Sequence, residues 1–226
     1  LPGDDVRAMM WHYADRFDLQ MLVQSVRSVA RGAVATAVAN GARNTHEWTQ
    51  DKENLLKAFD DSGVTALFME PEHGGYIAGP KNLALAIAAF ELSWVDGGAA
   101  TGSLAGNLAL EPIHERGTDK QRAEYMAGAV PPQPGEDRAI KRGAFGLTEP
   151  LPYVGVETGM LSGKVRVDDW KDGEEPVLHV EKRGRFITNM DFANFVCAAV
   201  ESDDERIKGS CMIIVEETDP GTYDRG

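Results

Sequence analysis

Histidine and cysteine, the residue types that most often bind metals or act as nucleophiles, are thinly spread along this sequence of 226 residues. The two cysteines occur in apolar, strand-like segments with no neighbouring cysteine or histidine, which favours buried thiols over a metal site. No two histidines stand at metal-ligand spacing. These residues are Cys197 and Cys211, and His12, His46, His73, His114 and His179. We therefore expect no zinc or iron site.

Glycine pairs and serines also lack the contexts in which they carry chemistry. The pairs at residues 74–75 and 97–98 have neither the lysine of a phosphate loop nor the spaced glycines of a dinucleotide fingerprint, so we interpret them as turns. Ser103 and Ser162 lie outside any nucleophile-elbow pattern. The sequence gives no reason to assign a phosphate loop or a serine nucleophile.

Two short segments that combine threonine with an aromatic residue are stronger candidates. They are FGLTEP at residues 145–150 and FITN at residues 186–189. Alone, the first can simply end a strand, with Glu149 in solvent and Pro150 terminating the pairing. Alone, the second can be an ordinary amphipathic strand with alternate residues in the core. Their order in the chain, behind the helical motifs described below, favours a shared binding site.

The elements that would position these segments change in character along the chain. Apolar residues at three- and four-residue intervals predict a helical first half, and Thr118 with Gln121 has capping-box spacing. A proline-rich linker at residues 130–138 follows. The predicted helices are residues 6–40, 50–62, 80–95, 99–116 and 120–127. The predicted strands, rich in branched and aromatic residues, are residues 165–167, 177–180, 185–187, 195–200 and 211–215.

This order of elements predicts an α+β fold in two domains. Residues 1–138 form a helical N-terminal domain, and residues 139–226 form an antiparallel β domain that is incomplete and barrel-like. Because a sheet cut at this point would expose an edge and half a core, we do not expect the chain to fold stably alone.

Composition excludes several classes of protein. The chain is 42% hydrophobic and 26% charged without a long apolar run, which is typical of a globular protein that is not inserted in a membrane. Residues 1–17 lack the apolar core of a signal peptide, so we expect a cytoplasmic protein. The formal net charge of -13 argues against nucleic acid as a partner. One phosphate-bearing ligand would need only a local cationic patch.

Three motifs, in this order, resemble the acyl-CoA dehydrogenase family. EPEHGG at residues 70–75 is similar to the family's turn between its early helices. LEPIHERGTDKQ at residues 110–121 is similar to a later helix junction. The segments 145–150 and 186–189 match the family's flavin-binding strands. Each motif is short enough to occur by chance, and it is their order and spacing that extend the resemblance over nearly the whole chain.

The resemblance implies that FAD lies against these two segments. Thr148 and the backbone of Phe145 and Leu147 would face the pyrimidine end of the flavin, where a hydroxyl and amides stabilise the negative charge of the reduced ring. Thr188 would place its hydroxyl near flavin N5, and Phe186 would lie beside the ring, where the family often has tryptophan. The implied cofactor-binding residues are Phe145, Leu147, Thr148, Phe186, Ile187 and Thr188.

The sequence departs from the family after Pro150. The family usually continues with Ala-Gly-Ser-Asp, a tight turn that contacts the flavin pyrophosphate and the acyl-CoA, whereas residues 151–159 here read LPYVGVETG. Phosphate contacts would then depend on backbone amides, with Gly155 the turn residue most similar in kind. No substrate-binding residue is assigned. The segment 168–176 is longer than the family's hairpin, which suggests an unusual acyl group.

The family's C-terminal helical bundle is absent from this sequence. In the family it supplies the carboxylate base, part of the flavin site and most oligomer contacts. We therefore assign no catalytic residue within residues 1–226, and we expect the chain to be a fragment, a nicked product or one part of a longer protein.

The activity that the resemblance implies is FAD-dependent oxidation of an acyl-CoA thioester to the 2,3-unsaturated thioester, in fatty acid metabolism. An electron-transfer flavoprotein would accept the electrons, and the enzyme would be a homo-oligomer, either a dimer or a tetramer. Two alternatives stay open. One is an acyl-CoA oxidase-like relative that passes electrons to oxygen, and the other is a non-catalytic subunit of a heteromeric dehydrogenase.

Overall fold

The computed structural model describes residues 13–67, 69–150 and 161–216. The chain divides into two compact units. The first draws on Leu1–Asn107 and Gly117–Lys141, and the second on Leu108–Arg116 and Arg142–Gly226. The predicted domain division at residue 138 stays a prediction.

The first unit is helical, as the apolar spacing predicts. Its longest helical stretch begins as α1, passes through a π-helical turn at Ala30–Val34 and ends as α2. A second π-helical turn, Arg122–Met126, continues the last helix. The helices of the described chain are α1 Phe17–Val29, α2 Ala35–Ala39, α3 Gln50–Asp61, α4 Lys81–Ser93, α5 Gly97–Leu104, α6 Gly106–Arg116 and α7 Asp119–Gln121.

One predicted helix is two helices in the structure. The segment 99–116 is interrupted at Ala105, between α5 and α6. The side chain of Asn107 donates from Nδ2 to the carbonyl oxygen of Leu104, 3.0 Å away, and so competes for a carbonyl at the end of α5. Most of α6 belongs to the second unit. The single continuous helix predicted there is wrong.

A buried apolar cluster holds the first unit together. Its members recur at helical spacing on α1 and α4 and include residues of α3 and α5. They include Leu19, Leu22, Val23, Val26, Phe59, Ile87, Leu92 and Ala100. Arg27 of α1 and Glu91 of α4 form a bidentate ion pair with two N–O distances of 2.7 Å. Their side chains are 11% and 2% exposed, so the ion pair is largely excluded from solvent.

Side-chain caps mark the starts of α3, α5 and α7 in this unit. The Thr49 hydroxyl accepts from the amide of Lys52 at the start of α3, and the Asp96 carboxylate accepts from the amide of Ala99 at 2.7 Å at the start of α5. Thr118 and Gln121 form the reciprocal capping box at the start of α7. The capping box predicted from the sequence is therefore confirmed.

The second unit contains a mixed sheet. Its strands are β1 Gly143–Gly146, β2 Lys164–Asp169, β3 Val177–Glu181, β4 Phe195–Ser202 and β5 Gly209–Glu216. β4 pairs with β1 and β2 in parallel and with β5 in antiparallel fashion, while β2 and β3 form an antiparallel pair. A helical region followed by a sheet confirms the predicted α+β class. The sheet is mixed rather than wholly antiparallel.

The central strand β4 is the most buried part of this sheet. Its residues 197–200 are all buried, because strands pair with it along both edges. Cys197 lies among them, whereas Cys211 of β5 is half-buried and also a free thiol. The buried, strand-bound thiol expected from the sequence is confirmed for Cys197, whereas Cys211 lies on a strand but is only half-buried.

The strand predicted at residues 185–187 is wrong. In the structure this segment is a loop between β3 and β4, and Phe186 has a φ of 58°, which a ladder-forming residue cannot adopt. Asn189, three positions later, has a φ of 72°. The run Phe-Ile-Thr has strand-like composition, but the backbone turns at its first residue.

No helix within residues 13–67, 69–150 and 161–216 is both long enough and apolar enough to cross a membrane.

Candidate functional site

The segment 145–150 begins inside β1, whose first residue, Gly143, has no room for a side chain. A Cβ atom on Gly143 would lie 2.5 Å from Cβ of Ala109 in α6 and 2.7 Å from Cζ of Phe195 in β4. These separations are shorter than any ordinary van der Waals contact, so glycine is required there. Phe145 is half-buried, and beyond Gly146 the chain leaves the strand. The close packing fixes where this exit lies within the second unit.

Glu149, in the segment that follows β1, is almost fully buried, with 1% of its surface exposed. Its carboxylate accepts from the amides of Ser162 at 2.7 Å and Gly163 at 2.9 Å. It also accepts from Nζ of Lys182 at 2.7 Å. A simple strand end would leave Glu149 in solvent, and that interpretation is wrong.

The charge state of Glu149 follows from these contacts. Burial raises its pKa, but the hydrogen bond from Lys182 and those from Ser162 and Gly163 outweigh the burial, and the pKa falls to about 2. The carboxylate is therefore ionised at neutral pH. It forms a buried ion pair whose two side chains are 0% and 10% exposed.

Contacts from the loop after β3 hold the backbone of the exit in place. Nζ of Lys182 donates to the carbonyl oxygen of Leu147 at 3.2 Å. The amide of Arg185 donates to the carbonyl oxygen of Thr148 at 3.0 Å. The structure thus places residues 182–185, which lead directly into the segment 186–189, against the segment 145–150.

Phe186 has an unusual position within this pair of segments. Its side chain is 79% exposed, which is uncommon for a large apolar residue, and its φ of 58° is unfavourable for an aromatic residue. The guanidinium of Arg185 lies 4.4 Å from the centroid of its ring. An exposed, conformationally constrained ring of this kind is typical of a ligand-binding loop.

The remaining residues assigned from the resemblance are also accessible. Leu147, Thr148 and Ile187 are half-buried, and Thr188 is exposed. Among the residues that the structure describes, none hydrogen-bonds to the hydroxyl of Thr148 or Thr188. Two hydroxyls that have no partner among the described residues, together with the exposed ring of Phe186, suit a planar ligand with an apolar face and a polar edge, which are the properties of a flavin ring. The residues present therefore fit the implied FAD.

The departure from the family at residues 151–159 lies outside the described residues, so the turn expected to contact phosphate has no structural account. The segment 168–176 lies within them: its first two residues end β2, and residues 170–176 connect β2 to β3. Trp170, in this loop, donates from its ring nitrogen to the carbonyl oxygen of Glu174 at 3.1 Å. The importance of Glu149 and Lys182 was missed from the sequence, although a charged residue directly after Thr148, which the resemblance assigns to the flavin site, was a signal.

Other chemistry receives no support from the described part of the chain. No group of three or more His, Cys, Asp or Glu residues within it could hold a metal ion. Burial raises the pKa of Cys197 to about 11, so its thiol is protonated and unreactive at neutral pH. A shallow cleft of about 260 Å³ lies beside β2 and β3, where Lys164 pairs with Glu201 at 3.1 Å and His179 contacts Glu181 at 3.0 Å.

Comparisons of the sequence and of the fold with known proteins agree on one family. The sequence profile described as "Acyl-CoA dehydrogenase, N-terminal domain" matches residues 18–131, just over half of the chain. No curated protein sequence matches significantly. The fold is similar to that of an acyl-CoA dehydrogenase from Bacillus anthracis complexed with FAD, with 21% identity, a TM-score of 0.69, and coverage of 91% of this chain and 32% of that one.

Two further solved structures share the fold. A glutaryl-CoA dehydrogenase from Mycobacterium smegmatis in complex with FADH2 is 22% identical, with a TM-score of 0.66 and coverage of 91% of this chain and 47% of that one. Nitroalkane oxidase from Podospora anserina is 20% identical, with a TM-score of 0.64 and coverage of 88% and 48%. The chain therefore spans a third to a half of the length of these structures. With its helical motifs, its profile match and this shared fold, the chain belongs to the acyl-CoA dehydrogenase family.

Proposed function

We propose that this chain is part of an FAD-dependent enzyme that oxidises an acyl-CoA thioester to the 2,3-unsaturated thioester. The observation that carries the proposal is the contact between the Thr148 segment and the loop that bears Phe186 and Thr188. The loop contacts the Thr148 segment in the second unit through the Arg185 amide and Lys182, just before Phe186. Family membership supports both the flavin and the coenzyme A thioester.

The residues of this chain would bind and orient the cofactor. When bound, FAD supplies an acceptor for the hydride that leaves the β-carbon of the thioester. The Thr148 hydroxyl and the backbone of Phe145 and Leu147 would hydrogen-bond the polar edge of the ring, where charge accumulates on reduction. Phe186 would exclude water from one side of the ring, and Thr188 would donate a hydrogen bond to it.

The remaining parts of the reaction lie beyond these residues. Removal of the α-proton needs a carboxylate base, which we place in the C-terminal helical bundle of the family. An electron-transfer flavoprotein is the proposed electron acceptor, and a homo-oligomer is the proposed assembly. None of the residues described in this chain is assigned as the base.

The visible absorption spectrum of the full-length protein tests the proposal. We expect flavin bands that bleach without oxygen when one member of a panel of acyl-CoA thioesters is added. Hydrogen peroxide formed at the rate of turnover in air would instead establish an oxidase. A purified protein that has no flavin bands and does not bind added FAD would overturn the proposal and favour a non-catalytic subunit.

A matched pair of threonine variants locates the flavin within the protein. Thr148→Val removes one hydroxyl from the proposed site and should weaken FAD binding by roughly 2- to 10-fold, the value of one hydrogen bond. Thr101→Val removes an exposed hydroxyl from α5, where it donates to the carbonyl oxygen of Gly97, and should leave FAD binding unchanged. Equal effects from the two variants would contradict the assignment of Thr148.

A further inference from the structure

We propose that Glu149 and Lys182 are positioning residues, whose buried ion pair holds the Thr148 segment and the Phe186 loop together as one flavin-binding surface. The proposal rests on the proposed function, since it assigns these residues a role toward the flavin. Neither residue would contact the reacting atoms. Each would act through the backbone of its neighbours.

The ion pair lies at a junction of three stretches of the second unit. Glu149 follows directly after Thr148, its carboxylate accepts from Ser162 and Gly163 just before β2, and Lys182 follows directly after β3. One carboxylate therefore fixes the exit of β1, the entry of β2 and the exit of β3 relative to one another. Loss of this group would release all three stretches together.

Because the ion pair is buried, each charge needs the other. The side chains are 0% and 10% exposed, and a buried charge that loses its partner is strongly unfavourable. Glu149 accepts three hydrogen bonds, and Lys182 donates a further one to the carbonyl oxygen of Leu147. An arrangement that satisfies both charges so fully has one geometry, which suits a positioning role.

The loop that Lys182 begins has little apolar packing of its own. Residues 183–186 are all exposed, so hydrogen bonds rather than burial must hold this stretch. The amide of Arg185 provides one through the carbonyl oxygen of Thr148, and Lys182 anchors the start. The positive φ of Phe186 has an energetic cost that such anchors must offset.

Gly163 provides an independent steric indication of the same arrangement. A Cβ atom at this position would lie 2.7 Å from Cδ of Lys182 and 3.3 Å from Oε1 of Glu149. Glycine thus leaves the space through which the lysine reaches the carboxylate. Its φ is not in the left-handed region, so space rather than backbone conformation accounts for the glycine.

The first test follows the loop without any cofactor. Amide hydrogen exchange of Arg185 is measured in the flavin-free full-length protein, in Glu149→Gln and in Lys182→Met. We expect exchange to accelerate by roughly 10-fold or more in both variants, the loss of a charged hydrogen bond. Lys164→Met is the matched control, because it removes an exposed lysine–glutamate pair from the same unit. Unchanged Arg185 exchange in both variants would overturn the proposal.

The second test measures whether the ion pair affects flavin binding as well as the loop. FAD affinity, visible circular dichroism and flavin reduction potential are measured for the same variants after saturation with FAD. We expect weaker binding by roughly 10- to 100-fold and an altered dichroism spectrum, with partial recovery in Lys182→Arg. Faster exchange combined with unchanged affinity, dichroism and potential would reduce the pair to a structural role and overturn the proposal.

Two precautions keep these outcomes distinct. If Glu149→Gln fails to fold, Gly163→Ala carries the test, because it displaces Lys182 while retaining both charges, and it should change the same readouts in the same direction. A wild-type protein that binds no FAD would overturn the proposed function. The Arg185 exchange rates would still decide whether the ion pair holds the loop.

Discussion

Two buried ion pairs of similar chemistry serve different regions of this molecule. Arg27 and Glu91 join α1 to α4 beside an apolar cluster, whereas Glu149 and Lys182 join chain segments whose neighbouring loop is exposed. In the helical unit, apolar packing already fixes the two helices. In the sheet unit, the ion pair and nearby hydrogen bonds replace that packing. A buried charge pair thus adds stability in both units, and in the second unit we infer that it also sets the local geometry of a loop.

The largest expected effect comes from breaking the helical pair. Arg27→Met leaves Glu91, which is 2% exposed, without its bidentate partner, and should destabilise the first unit by about 3–5 kcal/mol. Urea unfolding followed by circular dichroism measures the loss. Lys57→Met is the control, since its partner Asp61 is exposed, and it should cost less than about 0.5 kcal/mol. Similar losses in the two variants would show that burial does not distinguish the pairs.

The second prediction concerns acid stability and the other pair. Because the folded pKa of Glu149, about 2, lies below its ordinary value of 4.5, the folded state favours the ionised carboxylate. This contribution is fully present above about pH 4.5 and is lost as the pH falls toward about 2, with a size of roughly 3 kcal/mol. Unfolding free energies measured from pH 6 to pH 2 should fall more steeply in the wild type than in Glu149→Gln. The same dependence of the unfolding free energy on pH in the two proteins would contradict this prediction.

The smallest effects contrast glycines of the two units. Gly143→Ala would place a methyl group 2.5 Å from Cβ of Ala109, and overpacking of this kind costs about 1–3 kcal/mol. Gly32 lies in the π-helical turn of the first unit with nothing within 4 Å of the position of a Cβ atom. Gly32→Ala should therefore stabilise by about 0.5–1 kcal/mol. Thermal unfolding of both variants checks the opposite signs.

The sequence predicts the helical unit well because its contacts are local. The apolar spacing of α1 and α4 and the pair Thr118 and Gln121 are visible within one or two helical turns. The break at Ala105 was missed, because the apolar spacing runs on across it and does not reveal a side-chain contact such as that from Asn107 to the carbonyl oxygen of Leu104.

The sheet unit depends on contacts that sequence patterns do not reveal. Lys182 lies 33 positions from Glu149, so the burial of that carboxylate could not be predicted from Thr-Glu-Pro alone. The segment 185–187 has the composition of a strand, but it forms a loop, in which the Arg185 amide donates to the carbonyl oxygen of Thr148. The resemblance to the family nevertheless placed both segments at one site, and their assignment as flavin ligands stays a prediction.

The pairing of β1 with β4 has a consequence for how the protein is made. Arg142 and Asn194, which begin this pairing, are 52 positions apart, and a ribosome adds roughly 5–20 residues each second. The first strand therefore waits roughly 3–10 s for its central partner, with its edge unpaired. The helical unit, whose helices form from neighbouring residues, needs no such delay. During synthesis, exposure to chaperones and proteases should thus concentrate on the sheet unit until β4 emerges.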